Sequence, residues 1–235
     1  MSTKSLNIGL TGCGHLGKIH CRLINEIAKI NSNVTFTGVY DSDSAVTEAI
    51  SKEYSIKAYR SLNEILAEVD ALVIVTPTST HFEIAQKALE KDINIFIEKP
   101  VTSSLKEAEE LIKMAEGKKI KIQVGHVERF NPALVALEKF EMKPRFIESH
   151  RLAQFNPRGT DVSVVQDLMI HDIDVILHLA GSPVKKIDAN GVAVISDEID
   201  IANARLTLEN GCVANLTSSR ISLKKMRKMR IFQSN

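Results

Sequence analysis

The chain has 235 residues, 44% of them hydrophobic and 25% charged, with 30 Lys and Arg against 29 Asp and Glu. That balance belongs to a globular protein with a buried core and excludes disordered and fibrous classes. A formal charge of +1 provides no field to gather nucleic acid or acidic lipid, and apolar runs such as Ala71–Val75 are too short to span a bilayer. The stretch around Lys4 lacks the apolar core of a signal peptide. Cys13, Cys21 and Cys212 form no paired framework, which points to a reducing cytoplasm.

In chain order, Leu6–Thr11, Thr35–Tyr40, Ala71–Thr76, Ile93–Glu98 and Lys121–Val124 read as strands, several of them apolar without strict alternation. Parallel strands covered on both faces look this way. Helical patterns fall between them near 16–29, 44–53, 62–68, 79–90 and 104–116. In the first of these, Leu16, Ile19, Leu23 and Ile27 form the apolar stripe. The last opens on Ser104 with Glu107 three residues on and closes at Gly117. This alternation predicts a doubly wound α/β sheet over residues 1–124. From 125 to 235 the rhythm changes. Asn131-Pro132 starts a helix, and a strand is expected near 145–153. A loop at 154–162 leads into a long helix near 163–180, ended by Gly181. Strands follow at 185–195, 200–208, 212–220 and 226–233, with Asn210-Gly211 as a hairpin signal. The second domain therefore reads as α+β with a largely antiparallel open sheet.

Gly12-Cys13-Gly14-His15-Leu16-Gly17 fits G-x-G-x-x-G between a strand and a helix, the context in which that motif holds a dinucleotide pyrophosphate on a helix N-terminus. Asp41 ends the second strand, where a carboxylate accepts from ribose hydroxyls and repels a 2′-phosphate. With no Arg beside it in the sequence, NAD is expected over NADP. A helix N-cap is the other reading of Asp41. Glu98-Lys99-Pro100 ends the fifth strand. Pro100 holds Lys99 extended, and an ammonium there hydrogen-bonds a substrate hydroxyl; a solvated loop lysine is the alternative. On the long helix, Asp167, His171, Asp174 and His178 are spaced 4, 3 and 4 apart, within about 60° of one another. A polar stripe on an otherwise apolar helix suggests a wet cleft, with Asp167 orienting His171 as acid–base. A solvent-facing stripe and buried, satisfied polar groups are the competing readings. No metal is expected, since one helix does not complete a ligand set.

The fingerprint, Thr76-Pro77 with His81, Glu98-Lys99-Pro100, and Asp167-x-x-x-His171-Asp172 together resemble the Gfo/Idh/MocA family of oxidoreductases, from residue 6 to the end of the chain. The resemblance implies hydride transfer between a nicotinamide cofactor and a secondary hydroxyl of a sugar, nucleotide sugar or polyol. It implies Lys99 at the reacting hydroxyl and His171 as acid–base oriented by Asp167. It also implies His15, Leu16, Thr76, Pro77, His81 and Glu98 at the cofactor. The family's Thr-Pro-Asn context reads Thr76-Pro77-Thr78 here, which removes an asparagine amide. His126, Arg151 and Arg158 are expected at the substrate, the two arginines suiting a phosphate or diphosphate. The run from His150 to Asp174 is similar to family members acting on nucleotide sugars, UDP-N-acetylglucosamine among them. A non-catalytic NAD-binding regulator, or an NADH-dependent imine or enone reductase, are alternatives on the same fold. The strands after residue 184 are fewer than the family's sheet, so a shortened second domain and a homo-oligomer built through that sheet are expected. The basic segment 224–230 has no aromatic residue for stacking on bases.

Overall fold

Leu6–Thr11 (β1), Val34–Tyr40 (β2), Lys57–Ala58 (β3), Ala71–Ile74 (β4), Asn94–Glu98 (β5) and Ile122–Gly125 (β6) build one sheet in the order β3-β2-β1-β4-β5-β6. Every neighbouring pair in it is parallel. The computed structural model describes residues 5–156 and 161–234, and the chain divides into two units between Gly125 and His126. The expected strands stand within a few residues of their predicted bounds. The two-residue β3, paired with Gly38 and Val39, was not expected, because it is too short to carry a pattern.

The helices of this unit are His15–Ile30 (α1), Ser44–Tyr54 (α2), Leu62–Leu66 (α3), His81–Glu90 (α4) and Leu105–Ala115 (α5). Ser104 and Glu107 form the capping box read from the sequence. The buried face of α1 differs from the predicted one. Gly17, Cys21 and Ile24 pack inward, whereas Leu16, Ile19, Leu23 and Ile27 remain 38–47% exposed. Close approach of helix to strand at Gly17 selects small residues in the first turns of the inner face, Gly17 and Cys21, so the larger apolar stripe is not the buried one.

The second unit contains Pro132–Val135 (α6), Pro144–Leu152 (β7), a π-helical turn over Val165–Met169, Ile170–Ala180 (α7), Val184–Val192 (β8), Ile201–Leu208 (β9), Val213–Ser219 (β10) and Met226–Gln233 (β11). Its sheet runs β11-β7-β10-β9-β8. It is mixed rather than purely antiparallel, since β7 and β10 pair in parallel. Ile147, Val164, Met169, Ile176, Leu206 and Leu216 form its core. The predicted helix at 163–180 is interrupted: its first part is the wide π turn, and regular α geometry begins at Ile170. Gly181 closes it at φ 56°.

The strand expected to reach residue 195 stops at Val192, for a specific reason. Asp200 Oδ2 accepts from the backbone N–H groups of Val194, Ile195 and Ser196 at 2.8–3.0 Å, pulling that segment out of the ladder. Arg220 Nε donates to Asp200 Oδ1 at 2.8 Å, and its Nη1 donates to the Val162 carbonyl. Both side chains are buried. Burial opposes ionisation of Asp200, but these donors outweigh it and hold its carboxyl well below the usual carboxylate range.

Candidate active site

The order of the first sheet reverses at β1, with β2 on one side and β4 on the other. Open α/β sheets bind ligands outside the strand ends at such a point. A cleft of about 680 Å³ lies there, lined by Gly12, Gly14, Asp41, Thr76 and Pro77 among others. The three fingerprint glycines have separate reasons to be glycine. Gly12 takes φ 91°, and a Cβ on it would lie 2.6 Å from the backbone of Val75 and Thr76. A Cβ on Gly17 would sit 1.9 Å from the Gly12 carbonyl oxygen. Gly14 has an ordinary φ of −66° and nothing within 4 Å of a built Cβ. No protein contact requires a glycine there. It is an open cradle at the start of α1, whose first turn has no side-chain cap, the arrangement in which helix N–H groups receive an anion.

Asp41 is not the helix cap; Asp43 is, accepting from Ala45 and Val46. Asp41 Oδ2 accepts from the Cys13 N–H at 2.7 Å, and its Oδ1 accepts from the Asp43 N–H at 2.9 Å. Its carboxylate thus braces the fingerprint loop while lining the cleft. Arg60, just past β3, shares a neighbouring hollow of about 330 Å³ with Asp41 and Ser42. The basic residue missing beside Asp41 in the sequence is present beside it in space.

His81 does not face the cleft as expected. It is 1% exposed, and its ring nitrogens meet the carbonyl oxygens of Pro100 and Thr76, each at 2.9 Å. It joins the loops after β4 and β5 and supports Thr76-Pro77 rather than touching a ligand. Glu98 is likewise buried. Its Oε1 lies 2.8 Å from His20 Nε2, and its Oε2 accepts from the Lys99 N–H at 3.3 Å. The Lys99–Pro100 peptide is cis, and Lys99 is partly exposed at the strand end. His20 escaped the sequence reading, since 78 residues separate it from Glu98 and no local pattern joins them.

In the second unit, Asp167 lies in the π turn and His171 in the first turn of α7, both half-buried. The rest of the predicted stripe divides: His178 is exposed to water, and Asp174 is not. Asp174 is buried, accepting from Arg129 Nε at 2.8 Å and Nη2 at 2.5 Å, with His126 Nδ1 3.8 Å away. Burial opposes its charge, yet Arg129 and His126 lower its carboxyl below the usual range. Arg151 is also revised. It is 7% exposed and donates to Asp172 Oδ1 from Nε at 3.0 Å and Nη2 at 2.7 Å. Its Nη1 stands 3.5 Å from Glu128, and Ser149 Oγ donates to the second Asp172 oxygen. With two carboxylates already beside it, Arg151 offers a phosphate no free charge. Arg158 lies outside the described residues. Among the described residues, no group of three or more His, Cys, Asp or Glu side chains is arranged to hold a metal ion, and no helix is long and apolar enough to cross a membrane.

Residues 6–126 match the oxidoreductase family with an NAD-binding Rossmann fold, and residues 143–235 match the GFO/IDH/MocA C-terminal domain. The UDP-N-acetylglucosamine 3-dehydrogenase of Acidithiobacillus ferrooxidans is 40% identical over 97% of this chain, which spans 71% of that protein. Its solved structure superposes with a TM-score of 0.89 over 97% of this chain and 74% of that one. The inositol 2-dehydrogenase of Rhizobium meliloti is 27% identical, with 92% of this chain and 69% of that protein covered. A crystal structure of GenD2 from gentamicin A biosynthesis in complex with NAD shares the fold, at TM-score 0.85 and 17% identity over 97% of this chain and 69% of that one. The glycine-defined cradle at the sheet's switch point, the Glu-Lys-Pro strand end and both domain matches lead to one conclusion: the chain belongs to the Gfo/Idh/MocA family of NAD-binding oxidoreductases.

Proposed function

We propose that the chain oxidises a secondary hydroxyl of a nucleotide sugar of the UDP-N-acetylglucosamine type, with NAD as the preferred acceptor. The observation that carries the cofactor half is the open Gly14 position beside the closed Gly12 and Gly17. It fits a pyrophosphate held by the α1 N-terminus, with Asp41 at the adenosine ribose and Thr76 and Pro77 along the same cleft. The substrate half is supported by 40% identity to a UDP-N-acetylglucosamine 3-dehydrogenase. When bound, the nicotinamide supplies the hydride acceptor.

The protein then has one proton and one developing charge to manage. Lys99 donates a hydrogen bond to the reacting oxygen and stabilises it as it becomes an alkoxide. His171, oriented by Asp167, takes the hydroxyl proton as the carbonyl forms. His126 is placed at the substrate by the same reading. The exposed outer face of β8 and β9, including the paired Val192 and Ile201, supports a homo-oligomer through this sheet, which solution mass measures directly.

The test is a panel of UDP-N-acetylglucosamine, free hexoses and inositols, followed by nicotinamide absorbance. Turnover of the UDP-sugar is expected, and its absence for every UDP-sugar would remove the substrate assignment. Lys99→Ala and His171→Ala should each reduce turnover by roughly 10²–10⁴-fold with NAD affinity nearly intact. Near-normal turnover in either variant removes that residue from the chemistry.

A further inference from the structure

We propose that His20 is a positioning residue for Lys99, acting through the carboxylate of Glu98. This rests on the reading of Lys99 as the group at the reacting hydroxyl. Glu98 is held at both oxygens: Oε1 by His20 Nε2 at 2.8 Å and Oε2 by the main-chain N–H of Lys99 at 3.3 Å. The carboxylate is a two-ended link, with one end on α1 and the other on the backbone of the lysine itself. Because its acceptor is a carboxylate, Nε2 carries the donated proton.

The surroundings are shaped to this link. The His20 ring packs at a tilt of 57° against Phe96, two residues before Glu98 on β5, with centroids 5.4 Å apart. The side chains of His20 and Glu98 are only 17% and 11% exposed. Gly125 stands in register with Glu98 on the adjoining strand, and a Cβ there would come within 2.8 Å of the carboxyl carbon and both its oxygens. An imidazole on one side and a bare backbone on the other therefore define the slot. A carboxylate held at both oxygens cannot swing, so the chain leaves β5 at Lys99 in one direction. A second consequence follows from the position of His20 on α1, three residues after Gly17. The helix that receives the pyrophosphate is joined through this carboxylate to the lysine.

The test compares wild type with His20→Leu, His20→Gln, Gly125→Ala and Lys99→Ala. Gln places an amide donor near the position of Nε2, whereas Leu fills the space without a donor. His20→Leu and Gly125→Ala are expected to lower kcat about tenfold with KM and the NAD dissociation constant within about twofold, and His20→Gln to recover most of the loss. The second readout needs neither cofactor nor substrate: the rate at which acetic anhydride acylates Lys99 in the NAD-free protein, measured by peptide mass spectrometry. His20→Leu should change that rate at least about threefold, and His20→Gln should leave it near wild type, because the reactivity of a lysine amine follows its setting. Unchanged kcat and unchanged acylation in His20→Leu would overturn the proposal, as would failure of His20→Gln to restore either in a protein that melts normally. If Lys99→Ala retains turnover, the assigned role of Lys99 fails, and the acylation rates alone then decide whether His20 sets its position.

Discussion

Two residues separate Gly14 from Gly17, and the two glycines answer different demands. At Gly17 the demand is internal, because a methyl group would enter the Gly12 carbonyl. Gly17→Ala is expected to lower the melting temperature and abolish NAD binding together. At Gly14 the surrounding space is open, so Gly14→Ala should melt within a degree or two of wild type while binding NAD about tenfold more weakly. Equal NAD affinity in wild type and Gly14→Ala, by calorimetry, would refute the cradle. Asp41 and Arg60 pose a related contrast. The carboxylate disfavours a 2′-phosphate and the nearby guanidinium favours it, so Arg60→Ala should raise the NAD-to-NADP ratio of kcat/KM severalfold. The sequence reading reached Asp41 because strand-end acids have a fixed spacing from the fingerprint. It missed Arg60 because the two-residue β3 that delivers it has no pattern of its own.

Among the elements, those with short-range signals were legible and those held by distant partners were not. β1, β4 and β5 are apolar runs bounded by turn residues, and the Ser104–Glu107 box marks its own helix start. The stop of β8 at Val192 depends on Asp200, and the burial of Asp172 depends on Arg151 from a strand, 21 residues earlier. A charge on a helix does not reveal whether its partner is water or a guanidinium. The Arg151–Asp172–Glu128 cluster gives a measurable consequence. Burial works against the Arg151 charge and the two carboxylates outweigh it. Removing the arginine alone leaves buried negative charge. Arg151→Met is therefore expected to destabilise the protein by about 3–5 kcal/mol in urea unfolding, and Arg151→Met with Asp172→Leu by clearly less. A double variant no better than the single one would show that the cluster is not a compensated pair.

For the whole molecule, the carboxyls of Asp200, Asp174 and Glu128 all lie below their ordinary values. Burial opposes the charge in each, and it is overcome by backbone and side-chain donors at Asp200, by Arg129 and His126 at Asp174, and by Arg151 with neighbouring cations at Glu128. A depressed native pKa contributes stability that is fully present above the unfolded value and is lost as pH falls through the folded one. The melting temperature should accordingly be level from neutral pH to about 5 and fall steeply below about pH 4. A melting temperature that holds level down to pH 3 would contradict this account.

The link from Arg220 to Asp200 also reaches the Val162 carbonyl, and the Val164 N–H donates to Ile199. The entry to the helix bearing Asp167 and His171 is thus moored to the sheet through an acid-sensitive knot, whereas the remainder of α7 is packed by its own apolar face. Such a molecule has an order of failure. In hydrogen exchange on lowering pH, the amides of 162–167 should lose protection before those of β9 and β10, so that chemical competence is surrendered in a subglobal opening while the sheet is still intact.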